Sequence, residues 1–376
     1  MSSLALYASP LAAMRGYTGR TRKWRKSFAG YRRWRLITRG IAIIGSVISS
    51  EEFAGLGQDE QIGRLLGLGR IALCEFGVEP QEISPLVHAE NTTFKVSSPQ
   101  GVFNLRISRP GYQSTSNIRS ELLFLDALSK AGFRVPRPWQ GRLVTASSGG
   151  VPEPRDCVLL GWQEGDFARG KLTVERAWKV GRTIARLHEF TSTWSPPDGF
   201  DRQQLHGWAF APREPMPIDS PTSMCHEEDR ILLVQVEKEA RALLSGLPRD
   251  PQWLGLIHSD LHLGNVLFEG DEVNLIDFDD TGFGFWIYDF AAALAYVSDA
   301  ADFSGLREAM FDGYREVREL PIGVEELLGP FIQLRLGGIA GWIIGRADNP
   351  RFREEGAAYV NTLCNRIRHV RSNSNS

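Results

Sequence analysis

The 376-residue chain reads as an α+β protein with a small, β-rich N-terminal lobe and a larger, mainly helical C-terminal lobe. Three observations predict this. Short apolar runs bounded by turn residues gather before Gly165. Long segments with apolar residues at helical spacing dominate after it. The length suits two lobes better than a single core. The expected divisions are a basic extension over 1–50, an N-terminal lobe over 51–164 and a C-terminal lobe over 165–376.

The elements follow in order. From Gln58 to Phe76, the spacing of Ile62, Leu65, Leu66, Leu68, Ile71 and Leu73 predicts a helix. Ile83–Leu86, Asn91–Ser97 and Val102–Ser108 read as strands, with Pro99-Gln100-Gly101 turning the last two into a hairpin. A helix is expected over Asn117–Ala131, ended by Gly132. Pro136 and Pro138 suggest an extended connection, and Cys157–Gly161 is an apolar strand. Beyond Gly165, Thr173–Phe190 has one apolar face built on Ala177, Gly181, Ile184, Ala185 and His188. A polar, proline-bearing stretch runs to Ser223, and another helix continues through Leu244. Further helices should start near Tyr288, Gly305, Val324 and Phe352, and Ser372–Ser376 reads as a frayed tail.

Composition narrows the class. Hydrophobic content of 42% with 23% charged residues fits a globular protein rather than a disordered or fibrous one. No uninterrupted 18-residue apolar run is present, so no transmembrane segment is expected. Cys74, Cys157, Cys225 and Cys364 form no C-x-x-C pair, which disfavours a zinc ribbon or disulfide framework and suits the reducing cytoplasm. The net charge of -2 hides ten Lys or Arg residues and no acidic residue before Glu51. That N-terminal segment reads as a disordered arm, an organelle-type transit segment or a strip resting on anionic lipid. The remaining body is acidic and has no basic-aromatic stripe, so no nucleic-acid partner is expected.

The most informative stretch is His258–Asp280, HSDLHLGNVLFEGDEVNLIDFDD. Phosphoryl transfer needs a carboxylate to take a hydroxyl proton and oxygen ligands to hold Mg2+ on nucleotide phosphates. Asp260, Asn265 and Asp277 supply those functions in that order. The step from Asp260 to Asn265 equals that of the loop H-R-D-L-x-x-x-N, and Asp277-Phe278-Asp279 departs from D-F-G only at its last residue. Asp and Asn also favour turns and caps, so each residue alone would say little. His258 and Asp289 are expected to hold the loop, Asp289 through backbone amides. His258 and His262 lie four apart and raise a zinc alternative, but no H-E-x-x-H glutamate is present and Gly264-Asn265 interrupts a helix.

These residues resemble the aminoglycoside phosphotransferase and choline kinase family of small-molecule kinases. The resemblance rests on Asn91-Thr92-Thr93-Phe94-Lys95-Val96, Gly181–His188, His258–Asn265, Ile276–Asp279 and Tyr288–Ala291, in consistent order over about residues 58–345. It implies a bilobal protein-kinase-like fold, ATP and Mg2+ as cofactors, and a small-molecule hydroxyl as acceptor. It assigns Asp260 as base, Asn265 and Asp277 as metal ligands, and Glu121 as partner of a strand cation. It implies a nucleotide site at Asn91, Thr92, Arg106, Glu121 and Leu160, the last in a hinge segment over Val158–Trp162. Two departures stand out: Arg106 replaces the usual lysine, and Ala89-Glu90-Asn91-Thr92 has no glycine. Asp279, Asp280 and the acidic body suggest an amine-bearing acceptor such as an aminoglycoside, choline, homoserine or hydroxylysine. The alternatives are a stress-response type Ser/Thr protein kinase and a non-catalytic, pseudokinase-like nucleotide-binding protein.

Overall fold

The computed structural model of the protein describes residues 48–170, 172–205, 224–346 and 350–374. The basic extension as far as residue 47, and the proline-bearing stretch over 206–223 with Trp208, lie outside the described residues. The chain forms two compact units. One holds the described chain up to Ala131 with Pro136–Trp162, and the other holds Gly132–Val135 with Gln163 onward.

In the first unit, a short helix α1 (Ser50–Ala54) starts at a Ser49–Glu52 capping box. Helix α2 (Gln58–Glu75) then packs Leu65, Leu68, Ala72 and Leu73 on a sheet. The sheet comprises β1 (Glu82–His88), β2 (Asn91–Ser98) and β3 (Gly101–Ser108), then, after helix α3 (Thr115–Lys130), β4 (Pro138–Ala146) and β5 (Arg155–Gly161). Its antiparallel order is β1-β2-β3-β5-β4. Phe94, Val96, Leu105, Ile107 and Leu159 face the helix and complete the core. Pairing of Ser98 with Gly101 closes the hairpin expected at Pro99-Gln100. Strand β4 stands where only an extended connection was expected. Gln140 and Gly141 adopt φ of 55° and 61°, and the register shifts between Pro138 and Leu143, so the bulge breaks the alternation that would mark a strand.

The second unit begins with β6 (Asp166–Phe167) and helix α4 (Val174–Thr193), followed by β7 (Gln203–Gln204) and α5 (Glu227–Gly246). The motif region contributes β8 (Leu254–Ile257), β9 (Val266–Glu269), β10 (Glu272–Leu275) and β11 (Gly282–Phe285). They form two small sheets, ordered β10-β9-β6 and β7-β11-β8. Helices α6 (Ile287–Leu294), α7 (Phe303–Arg315), α8 (Leu328–Ile344) and α9 (Pro350–Ser374) complete the unit. The tail expected to fray from Ser372 is instead helical to Ser374. Arg371 secures the last turn by reaching Gln333 and Glu239. One span, Glu325–Ile344, is long and apolar enough to cross a bilayer by length and composition, and 67% of its 18-residue apolar window is buried.

Two glycines let α4 and α7 meet backbone to backbone. A Cβ on Gly181 would stand 1.8 Å from Met310 O, and one on Gly313 would stand 2.0 Å from Trp178 O. Neither obstacle is a movable side chain. The contact matters because α4 carries His188 into the core beneath the motif loop. Gly181→Ala should therefore destabilise the chain by about 1–3 kcal/mol or more, as overpacking does. Urea denaturation monitored by circular dichroism would reveal it, and an unchanged midpoint would contradict the packing described.

Candidate active site

The motif loop is built around Asp289 at the start of α6, whose side chain is fully buried. Its Oδ2 accepts from the His258 amide at 3.0 Å and from His188 Nε2 at 3.1 Å. Its Oδ1 accepts from the Ser259 amide at 2.8 Å. Three donors thus converge on one acceptor-only group, which satisfies buried N–H groups that would otherwise be costly. Ser259 has a φ of 65°, a left-handed conformation that a non-glycine residue rarely adopts. The Ser259 hydroxyl donates to Asp280 O, and His258 Nε2 donates to Ile276 O at 3.0 Å. The two halves of the motif are therefore tied together by backbone carbonyls.

Asp260 follows in a tight loop. Its carbonyl accepts from the His262 amide at 2.8 Å and from Asn265 Nδ2 at 2.9 Å. Asn265 Nδ2 also stands 3.3 Å from Asp260 Oδ2. Asn265 has thus committed its amide nitrogen, and Oδ1 is the atom with cation-binding chemistry. Asn265 immediately precedes β9, and Asp277 lies two residues beyond β10. Val266 pairs with Leu275, and the Ile276 amide donates to Asn265 O at 3.0 Å. The hairpin therefore carries both oxygen donors to the same end, with Asp277 exposed at a φ of 67°. The donor set is hard and oxygen-only, which fits Mg2+ completed by phosphate and water.

Three arginines that carry no motif complete the loop region. Arg202 is buried and donates to Thr281 O at 2.6 Å, Asp279 O at 2.6 Å and Phe278 O at 3.2 Å. Arg335, from α8, is ion-paired with Asp260 Oδ1. Arg169 lies just past β6, whose register with β9 brings it level with Asn265. Arg335 was legible in principle, because it is the lone charge in an apolar helix and a buried charge needs a partner. Arg202 and Arg169 left no such signal.

The electrostatics follow from these contacts. Burial would raise the Asp260 carboxyl, but Arg335, His262 and His258 outweigh it and hold it below the ordinary carboxylate value. Burial would lower the Arg335 guanidinium, but Asp260, Tyr288 and Tyr296 outweigh it and keep the group charged. His262 accepts from the Gly264 amide at 2.9 Å through Nδ1, so its proton is on Nε2, 3.6 Å from Asp260 Oδ2. Burial pushes its pKa down to about 4. His258 and His262 thus spend their ring nitrogens separately, on Ile276 O and the Gly264 amide. Among the described residues, no cluster of three or more His, Cys, Asp or Glu side chains is disposed to hold a metal.

In the first unit, Arg106 on β3 and Glu121 on α3 form a buried bidentate pair, with Nη1 to Oε1 at 2.8 Å and Nη2 to Oε2. Leu160 lies buried on β5, opposite Asn104. Asn91 opens β2, and its Oδ1 stands 3.4 Å from the Arg109 amide. The Thr92 hydroxyl is engaged within the first unit. Gln61 donates through Nε2 to the Phe53 and Leu56 carbonyls at 3.0 and 3.1 Å, so its Oε1 accepts from His88 Nε2 at 3.0 Å. His88 Nδ1 must then accept from the Thr92 hydroxyl at 2.7 Å, which spends its proton. Asp279 is buried, while Asp280 is half-exposed and lies within electrostatic range of Tyr288.

A carboxylate held beside an amide five residues on, with a second carboxylate carried to the same end by a hairpin, is the loop architecture of a phosphotransferase of the protein-kinase-like fold. The model of the phosphotransferase enzyme family matches residues 82–322, and the chain belongs to that family. It is a kinase acting on small molecules. Amicoumacin kinase of Bacillus subtilis is 24% identical over 283 residues, covering 70% of this chain and 80% of that one. Homoserine kinase of Beijerinckia indica is 27% identical over 236 residues, covering 61% and 70%. Among solved structures, a microcompartment-associated aminopropanol kinase aligns with a TM-score of 0.67 and 26% identity over 82% of this chain and 98% of that one. An amicoumacin kinase in complex with AMP-PNP, Ca2+ and Ami aligns with a TM-score of 0.66 and 20% identity over 82% and 96%.

The buried histidines give a pH dependence of stability. His188, His258 and His262 are all depressed by burial from the ordinary value of 6.5. The unfolded chain therefore binds their protons first as pH falls. Stability is full above about pH 6.5 and is lost below it, at up to about 1.4 kcal/mol per pH unit for each histidine. Urea midpoints should fall between pH 7 and 5, with a shallower slope in His262→Gln. A flat profile would show that these rings are not held neutral.

Proposed function

We propose that the protein transfers the γ-phosphate of ATP to a hydroxyl of a small, amine-bearing molecule, with Asp260 as base. The observation that carries this reading is the clamp of Asn265 Nδ2 on both the carbonyl and Oδ2 of Asp260, at 2.9 and 3.3 Å. It fixes the base and a cation ligand as one unit. Oδ1 of Asp260 is engaged by Arg335, so Oδ2 is the atom that takes the acceptor's proton. As the acceptor oxygen bonds to the γ-phosphorus, the bond to the bridging oxygen breaks and its electron pair leaves with ADP. Asn265 and Asp277 would hold Mg2+, which neutralises phosphate charge.

Arg106, oriented by Glu121, would contact phosphate, and Asn91 and Thr92 would offer backbone contacts. Leu160 would line the adenine site through apolar contact. The nucleotide and the divalent cation in the complex of the related amicoumacin kinase support this cofactor reading. Asp280 supports an amine on the acceptor, because its half-exposed carboxylate would attract a cation. ATP dependence and four unpaired cysteines support a cytoplasmic setting.

ADP formation with Mg2+-ATP, read against a panel of hydroxyl-bearing small molecules, tests the reading. Asp260→Asn should lower kcat on the preferred acceptor by about a hundred- to ten-thousand-fold without unfolding the chain. Turnover equal to that of the unaltered protein would remove Asp260 from its role. Phosphate transferred to protein substrates instead would favour a protein kinase.

A further inference from the structure

Beside the base, the second unit collects positive charge that the proposed chemistry does not use. The register of β6 on β9 runs from Asp166–Phe268 through Phe167–Leu267, and the Ala168 amide donates to Val266 O at 2.9 Å. Arg169 therefore stands level with Asn265. Its Nη2 is buried and has no hydrogen-bond partner among the described residues, and the same holds for Nε of Arg335. Two guanidinium groups thus attend a region in which Asp260 is already paired with one of them. His262 and Tyr296 close the same side, with ring centroids 6.1 Å apart. The phenols of Tyr296 and Tyr359 lie within electrostatic range of Arg169. Burial pushes the Arg169 guanidinium below its ordinary range. A buried guanidinium edge without an acceptor is costly, and a planar anion with two oxygens relieves the cost through charge-assisted hydrogen bonds.

We propose that the acceptor carries a carboxylate, bound next to Asp260 by Arg169 and the Nε edge of Arg335. The inference rests on the phosphotransferase reading and narrows its acceptor to hydroxy acids. Where the acceptor also bears an amine, Asp280 receives it, so a hydroxy amino acid satisfies both charges. The Arg335 guanidinium then bridges acceptor and base, which sets the distance from the carboxylate to the reacting hydroxyl. An alcohol without the carboxylate leaves both guanidinium edges unpaired, and sites built around charged hydrogen bonds reject such analogues.

The test uses pairs of hydroxy acids and their decarboxylated alcohols, homoserine beside aminopropanol among them. ADP formation by the full chain should favour the acid by about 10–100-fold in kcat/KM, the scale of a lost hydrogen bond to a charged group. Arg169→Gln should raise KM for the acid by a similar factor and leave KM for ATP unaltered, with partial rescue in Arg169→Lys. Calorimetric binding of the acid without nucleotide should weaken in the same variant. Preference for the decarboxylated member overturns the proposal, as does an Arg169→Gln effect confined to ATP. Failure of the acids to bind the unaltered protein overturns it as well. If the acids bind through Arg169 but none is phosphorylated, the carboxylate site stands and the phosphotransferase reading fails. If acid and alcohol are phosphorylated equally well, the carboxylate site falls and the phosphotransferase reading stands.

Discussion

The second unit is organised around the carboxylate of Asp289. It takes the amides of two successive residues and one histidine, all in the core. Those bonds hold Ser259 in a left-handed conformation, and the Ser259 hydroxyl in turn fixes Asp280 O. Asp277 adopts a similar conformation a few residues earlier in that second loop. Positive φ at two non-glycine residues is unfavourable and persists only where the surroundings over-determine it. Here Asp289 supplies the determination on one loop. His258 and Arg202 supply it on the other by binding the carbonyls of Ile276, Phe278 and Asp279.

Charge is handled differently in the two units. In the first, Arg106 and Glu121 neutralise each other as a buried bidentate pair, and the pairing orients the guanidinium. In the second, Arg202 donates to three backbone carbonyls, Arg335 is paired with Asp260, and Arg169 has an unpartnered edge among the described residues. Buried ion pairs give little net stability and leave a large penalty when broken. Their value here lies in orientation: Arg335 holds one oxygen of Asp260, and Asn265 Nδ2 stands 3.3 Å from the other.

Much of this was legible in the chain. The family could be read because the run that holds Asp260, Asn265 and Asp277 keeps fixed residue types at fixed spacing, and helical faces such as Ala177–His188 follow a period. Strand β4 was not legible, because its bulge at Gln140-Gly141 destroys the alternation. The fate of the Thr92 hydroxyl was hidden, since it is decided by His88 and, beyond that, by Gln61 on another element. Arg169 and Arg202 act through tertiary neighbours that no local pattern encodes.

If Asp289 shapes the loop that carries the base, replacing it with asparagine should loosen that loop and stop turnover together. An asparagine presents an NH2 group where the loop amides need an acceptor. Hydrogen–deuterium exchange over residues 258–265 in Asp289→Asn, taken with kcat on the same sample, reads both effects at once. The expected result is a folded protein whose loop amides exchange far faster and whose turnover collapses with them. Unchanged protection together with unchanged turnover would contradict the role given to Asp289.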